Sequence, residues 1–365
     1  SLFIEKFYSN SINGEINASG FIPYNLNIGS NDIGKYFSDD SFDLSIYSKL
    51  NNLYLLTPYV SDLDSIIGDF DVSLELSGKP NKIQRNGKIN IKNGQLYTVQ
   101  LGDVINEING DAIISNNIMK IADLKANIFH ENSKYLYKNS TNTKISGEVD
   151  LNQFFNPDYN LRIEANEASY KLLFIDITGQ ANFDLKITGR DTIEISGLIE
   201  SLDANVFYEF NQEDIGSAID EGENIVMSYN LNIPLRSPAL FQNSQIDAEI
   251  LGEISLSQKG HQEVDFGGQI IVEDGNVFSY KDNFDGLQGV VNFDNKGFNP
   301  FIDVNANTFI DDERISLRIT GGIEDLDIIL ESGSGFSESD ILELLTWGKR
   351  FEDQEMTSTG FGNQT

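Results

Sequence analysis

Apolar and polar residues alternate one for one through stretch after stretch of this chain, a period that suits extended strands and not amphipathic helices. Val72, Leu74 and Leu76 fall on one side of such a strand, with Asp71, Ser73, Glu75 and Ser77 on the other. Ile89 with Ile91, Leu185 with Ile187, Ile270 with Val272, and the triplet Ile315, Leu317 and Ile319 repeat the pattern. Sheets built this way are apolar on one face and wetted on the other. The strands also recur as a unit. Asp71 to Gly78 leads into Gly87 to Tyr97, Asp184 to Gly189 into Gly197 to Phe207, and Asp247 to Gly252 into Gly268 to Phe278. An offset of seven residues returns each time, from Gly87 to Gly94, from Gly197 to Ala204 and from Gly268 to Gly275. Such a fixed spacing marks a quasi-repeat of stacked strands. Asn93-Gly94 and Asn109-Gly110 have the residue types of tight hairpin turns and are expected to separate strands.

Composition agrees with an all-β chain: 31 Gly against 7 Pro supply frequent backbone reversals. The net charge of -32 repels phosphate backbones, so nucleic acid is excluded as a partner. The acidic side chains read instead as solvating the polar strand faces. Without cysteine the chain can form no disulfide, Fe–S cluster, thiolate zinc site or thiol nucleophile. No run approaches the roughly 18 apolar residues of a membrane-spanning helix. Because the chain opens on Ser1-Leu2-Phe3-Ile4, without Met and as though inside a strand, it is expected to be a fragment with its membrane anchor or signal upstream.

Helical signals are few. Ser337 and Asp340 offer a cap ahead of Ile341, Leu342, Leu344 and Leu345, and Gly348 with Lys349 and Arg350 offers a stop. A weaker helical spacing runs from Pro58 to Ile67, while Gln212 to Asn224 and Phe351 to Thr365 read as loop and frayed tail. Catalytic constellations are missing. His130 and His261 lie in separate units, and no nucleophile elbow, phosphate-binding loop or zinc-protease motif occurs. Asp282 with Asp285 and Asp311 with Asp312 are nominal carboxylate pairs, better read as solvated turn residues that could hold at most adventitious calcium. No enzyme activity, cofactor or metal is expected. Trp347, at the end of the C-terminal helix, is expected to pack.

From Asn243 onward the residues resemble a known family, the C-terminal region of TamB within the AsmA-like group of envelope proteins. The resemblance is carried in order by Ile246 to Gly252, Gly268 to Gly275, Gly289 to Phe293, Asn299-Pro300 to Ala306, Ile315 to Gly321 and Ser339 to Gly348. Looser repeats upstream, including Ser77 to Pro80, look like preceding units of the same kind. Leu326 stands where such proteins often place a proline, and Gly333-Ser334-Gly335 replaces a more proline-rich approach to the helix.

The resemblance implies an elongated, curled β-sheet, the β-taco, with an open hydrophobic groove and a short helix near the C-terminus. On that view residues 1–242 are repetitive groove units, 243–350 the TamB-like C-terminal region with its helix at about 337–348, and 351–365 a flexible polar tail. It further implies a periplasmic protein, anchored in the inner membrane outside this stretch. Such a protein moves phospholipid toward the outer membrane and works with a TamA-like outer-membrane barrel, with a part in outer-membrane protein assembly or autotransporter secretion. The groove candidates are Val72, Leu74, Leu76, Ile89, Ile91, Leu185, Ile187, Ile270, Val272, Ile315, Leu317 and Ile319, touching acyl chains. On such a lane a carboxylate at position 317 is expected to abolish function without unfolding the sheet. The residues alone also fit a repetitive β-helical surface adhesin or passenger domain with a closed core.

Overall fold

The alternating segments form long strands in a computed structural model that describes residues 2–24, 37–53, 63–98, 104–128, 141–154, 156–172, 177–209, 226–278, 283–310, 312–323 and 325–347. The strands are β1 (Leu2–Ser11), β2 (Gly14–Ile22), β3 (Phe42–Asn52), β4 (Leu63–Gly78), β5 (Gln84–Thr98), β6 (Val104–Ser115), β7 (Ile118–Ile128), β8 (Thr143–Asp150) and β9 (Asp158–Leu172). There follow β10 (Ile177–Gly189), β11 (Thr192–Phe207), β12 (Val226–Gln242), β13 (Ile246–Gln258), β14 (Asp265–Phe278), β15 (Asn283–Asp294), β16 (Phe301–Ile310), β17 (Glu313–Gly322) and β18 (Asp325–Ser332), then a helix, α1 (Glu338–Trp347). All the described strands belong to one eighteen-stranded sheet. Each strand pairs with its sequence neighbours, antiparallel except where β11 lies parallel to β12. The sheet does not close into a barrel: β1 and β18 are its two edges.

Directly opposed residues share a face, so the registers trace one side across the sheet. Val72 opposes Ile89, then Ala112, Ile121, Gly147, Leu161 and Ile187 follow in turn. From Leu185 the same side runs through Gly197 and Leu231, and two turns of the pleat along β12 it continues from Leu235 through Gly252, Ile270, Val291 and Ile302. The other side carries exposed cross-strand ion pairs, among them Lys88 with Asp111 at 3.2 Å, Lys120 with Glu148 at 2.9 Å and Arg318 with Asp303 at 3.1 Å.

The sheet curls, and two features cause it. Bulges interrupt the registers partway along many strands: between Ile91 and Gly94 in β5, between Asn106 and Asn109 in β6, and beside Ala181 and Ala239 farther on. A bulge bends its strand and leaves one amide out of the ladder. The amide of Asn93, at φ 52°, is met by Asn109 Oδ1 at 3.0 Å, and that of Glu167, at φ 50°, by Asn182 Oδ1 at 3.0 Å. At these bends the apolar side carries very small, fully covered residues: Ala126, Ala165, Ala168, Ala181, Ala239 and Ala306 are at most 2% exposed. Gly197, at φ 136°, belongs to the same logic, since a Cβ there would run into the carbonyl of Asp184 on β10.

Two local expectations are corrected. Asn93-Gly94 and Asn109-Gly110 lie inside β5 and β6, where the left-handed residues, Asn93 and Glu107, serve bulges and not turns. Leu63 to Ile67 is the start of β4, so the helical spacing there is overridden by strand pairing with β5; residues 58–62 lie outside the described residues, as do 212–224 and 351–365. The C-terminal helix forms as its cap signals require. Ser337 Oγ accepts the Asp340 amide at 3.3 Å, and the Asp340 carboxylate accepts the Ser337 amide at 3.2 Å.

Candidate functional site

All twelve groove candidates fall on the one apolar face traced above. Val72, Leu74 and Leu76 of β4, Ile89 and Ile91 of β5, and Leu185 and Ile187 of β10 are each half-buried. Among the described residues no second sheet stands over them, because every strand belongs to the sheet that carries them. Toward the C-terminus the same face changes character. Val272, Ile315 and Leu317 are 7%, 0% and 6% exposed and belong to a packed cluster with Ile250, Phe284 and Val304; Ile270 and Ile319 lean against it.

Helix α1 completes that cluster. Spaced three apart, Ile341 and Leu344 lie on one side of the helix and are 1% and 5% exposed, with Phe336 and Leu345 packed beside them. The apolar face therefore mixes half-buried and buried side chains in its N-terminal part and is packed into one cluster with α1 at its C-terminal end. A carboxylate at 317 enters a packed core, which corrects the expectation that the sheet would tolerate it. Trp347, the last residue of α1, is 62% exposed, contrary to the expected packing.

The sequence reading missed some residues of this face. Phe70, 3% exposed, opposes Ile91 and Leu50, and it sits two residues before Val72 in the same alternation. Leu44 and Ile46 oppose Leu76 and Leu74 from β3. Arg85 also lies on this face, opposite Leu76, and its polar surroundings in sequence hid it.

The opposite face is electrostatically quiet chemistry. A hydrogen bond from Arg162 holds the Asp184 carboxyl below its ordinary range, and bonds from Asn90 and Lys88 do the same for Asp111. Asn182 and Arg236 lower Glu200 in the same way. Each is a surface carboxylate stabilised by a neighbouring strand, not a group poised to move protons. His261, Asp285 and Asp312 are exposed; His130, Asp282 and Asp311 lie outside the described residues. No group of three or more His, Cys, Asp or Glu among the described residues is arranged to hold a metal ion. No helix among them is long and apolar enough to cross a membrane.

A search of curated proteins returns no match. The TamB C-terminal domain family matches residues 144–364, more than half of the chain, and begins well upstream of the segments that carry the resemblance by eye. That family works in envelope and outer-membrane assembly with an outer-membrane partner. A single open curled sheet, an apolar inner face, a capped helix in place and this match over β8 to the C-terminal segment agree: the chain belongs to the TamB family, through its C-terminal domain.

Proposed function

We propose that this chain is a non-enzymatic section of a periplasmic conduit whose apolar face carries phospholipid acyl chains toward the outer membrane. One observation carries the reading: from β3 to β11 the apolar side chains form a continuous face in which Val72, Leu74, Leu76, Ile89, Ile91, Leu161, Leu185 and Ile187 stay half-buried between buried neighbours such as Phe70 and Val149, with no second sheet laid on it. Bringing a lipid with two chains of about 16 carbons through water costs on the order of 20 kcal/mol, at about 0.8 kcal/mol per methylene. A lane of Leu74, Ile89, Leu161 and Ile187 lowers that barrier by keeping the chains against hydrocarbon throughout. The packed cluster under α1 acts as the far wall of the lane, and the groove contacts narrow to the seven half-buried candidates on β4, β5 and β10. An inner-membrane anchor upstream and a TamA-like barrel as the receiving partner complete the proposal. A β-helical adhesin would require coils of parallel strands, whereas the pairings here are antiparallel apart from β11 with β12.

Photo-crosslinking side chains test this directly. Placed at Leu74, Ile89 and Ile187 in cells, they should capture phospholipid, while those at Ser73 and Lys88 on the polar face should not. A crosslinker at Leu317 should also fail to capture lipid, being 6% exposed within the cluster that α1 joins. Equal labelling of both faces, or none at all, would sink the conduit.

A further inference from the structure

In a chain with 57 acidic and 25 basic residues, the segment from Leu76 to Gly102 holds Lys79, Lys82, Arg85, Lys88 and Lys92 and not one Asp or Glu. Lys88 points to the polar face and pairs with Asp111. Lys79, Lys82 and Arg85 stay together at the β4–β5 turn, on one rim of the sheet. Pro80 and the bond from the Lys82 amide to the Lys79 carbonyl, at 2.8 Å, make that turn tight. Beside it is a cavity of about 420 Å³ lined by Lys82, Ile83, Arg85, Asn117 and Asn152.

The cavity is held open by a clasp between three turns. Asn117, 8% exposed and at φ 68°, accepts the Arg85 amide at 2.8 Å, and its own Nδ2 donates to the Ile83 carbonyl at 3.0 Å and to Asn152 Oδ1 at 2.9 Å. Within this frame Arg85 Nη1 donates to Asn117 Oδ1 at 3.3 Å and to the Leu151 carbonyl at 3.1 Å, and Phe154 lies 5.4 Å from the guanidinium carbon. The Nε and Nη2 edge makes no hydrogen bond to a described residue, and no described carboxylate pairs with Arg85. Asp150, close by in sequence, is engaged with the Asn152 amide at 2.8 Å and faces Arg190. Partial burial lowers the Arg85 pKa from its ordinary value, the mark of a cation short of solvent, yet a guanidinium stays charged throughout the working range.

A fixed, half-buried guanidinium with its two-nitrogen edge free matches the paired oxygens of a phosphate. Its position decides which phosphate. Arg85 opposes Leu76, next to Leu74 and Ile89, so an anion bound there has hydrocarbon-binding surface within one lipid's reach. We propose that the Arg85 cradle binds the phosphate of a glycerophospholipid headgroup at the rim while its acyl chains lie on the adjoining apolar face. This rests on the conduit reading above.

The test compares uptake by the 365-residue chain of fluorescent phosphatidylglycerol and of fluorescent diacylglycerol with the same acyl chains. Arg85→Gln should weaken phosphatidylglycerol retention about tenfold, the scale of losing a charge-assisted bond pair, and leave diacylglycerol unchanged. Arg85→Lys should fall between, keeping charge but not the planar fork. Lys82→Gln, whose side chain takes no part in the clasp, should cost roughly twofold to threefold for phosphatidylglycerol alone, and it tests the cradle even if Arg85→Gln fails to fold. If both lipids bind the wild type and neither variant separates them, the headgroup site is wrong while the conduit survives. If neither lipid binds, the conduit fails and the headgroup proposal with it. Saturable, Arg85-dependent binding of inorganic phosphate without lipid uptake would identify a free-phosphate site and overturn the lipid assignment.

Discussion

Leu317→Asp and Leu74→Asp place the same charge on the same face of the sheet, and the structure expects them to differ sharply. Leu317 is 6% exposed, between Ala306 and Leu330 on its flanking strands and within the cluster beneath α1. Removing its side chain forfeits about 2–3 kcal/mol of burial. A carboxyl group left there without a partner costs roughly another 2 kcal/mol or more even after it protonates. A total of about 4–5 kcal/mol is a large part of the 5–15 kcal/mol typical of a whole domain. Leu74 is half-buried, so its replacement forfeits only about 1 kcal/mol, and the carboxylate can keep water on its open side. Urea unfolding followed by circular dichroism, with hydrogen exchange read on peptides from β16 and β17, separates the two. Leu317→Asp should lower the midpoint and lose protection first in β16, β17 and α1; Leu74→Asp should leave both close to wild type. If Leu74→Asp unfolds the chain as severely, the face around β4 is a packed core and the open lane is wrong. If Leu317→Asp is silent, the cluster under α1 contributes no stability.

Ser337→Ala removes the oxygen that accepts the Asp340 amide and should destabilise α1 by about 1 kcal/mol, seen as faster amide exchange across 338–347 with the strands unchanged. Ala181→Leu forces bulk into a bend where the native residue is 0% exposed and should cost about 1–3 kcal/mol in thermal melts. Asp184 should titrate below the ordinary carboxylate range in carbon-13 NMR, and Arg162→Gln should return it. Because the folded value is the depressed one, whatever stability the pair adds is present above the ordinary range and lost as pH falls through the folded value; high salt should shrink the shift, as the pair is exposed.

Strand content and face were legible because alternation is a local property: Val72, Leu74 and Leu76 announce their side without any knowledge of β3 or β5. The cap at Ser337 and Asp340 was legible for the same reason. Burial along the face was not. Whether Leu317 is open or covered depends on α1, which packs by β18, adding Ile341 and Leu344 to the cluster that holds Leu317, and nothing in Ile315 to Ile319 distinguishes it from Val72 to Leu76. Asn93-Gly94 misled because a hairpin turn and a bulge ask for the same left-handed backbone; only pairing with β6 tells them apart. Arg85 was hidden by standing where alternation predicts an apolar residue, and the stretch without acids was the signal that pointed to it.

The seven-residue offset between small residues finds its cause in the bends. In a regular strand, residues an odd number apart face opposite sides, so Gly87 and Gly94 ought to point apart. A bulge inserts one residue and restores the second to the first one's side. Gly87 opposes Leu74 on the apolar face, and beyond the bulge at Asn93 that face continues through Gly94 and Leu96, the latter opposite Ile66. In β11 the face passes from Gly197 and Ser201 to Ala204, opposite Gly179, and in β14 from Gly268 and Val272 to Gly275, opposite Ala248. Each unit thus encodes an inward position without a bulky side chain, a change of frame, and a second such position beyond it. A larger residue at the second position would meet the neighbouring strand: a Cβ on Gly275 comes within 2.8 Å of the Ala248 Cα. The frame changes keep the apolar face continuous through the bends, where an uncorrected one-residue shift would turn half of every such strand's hydrocarbon toward water. The repeat most visible in the sequence is therefore the line along which the sheet curls.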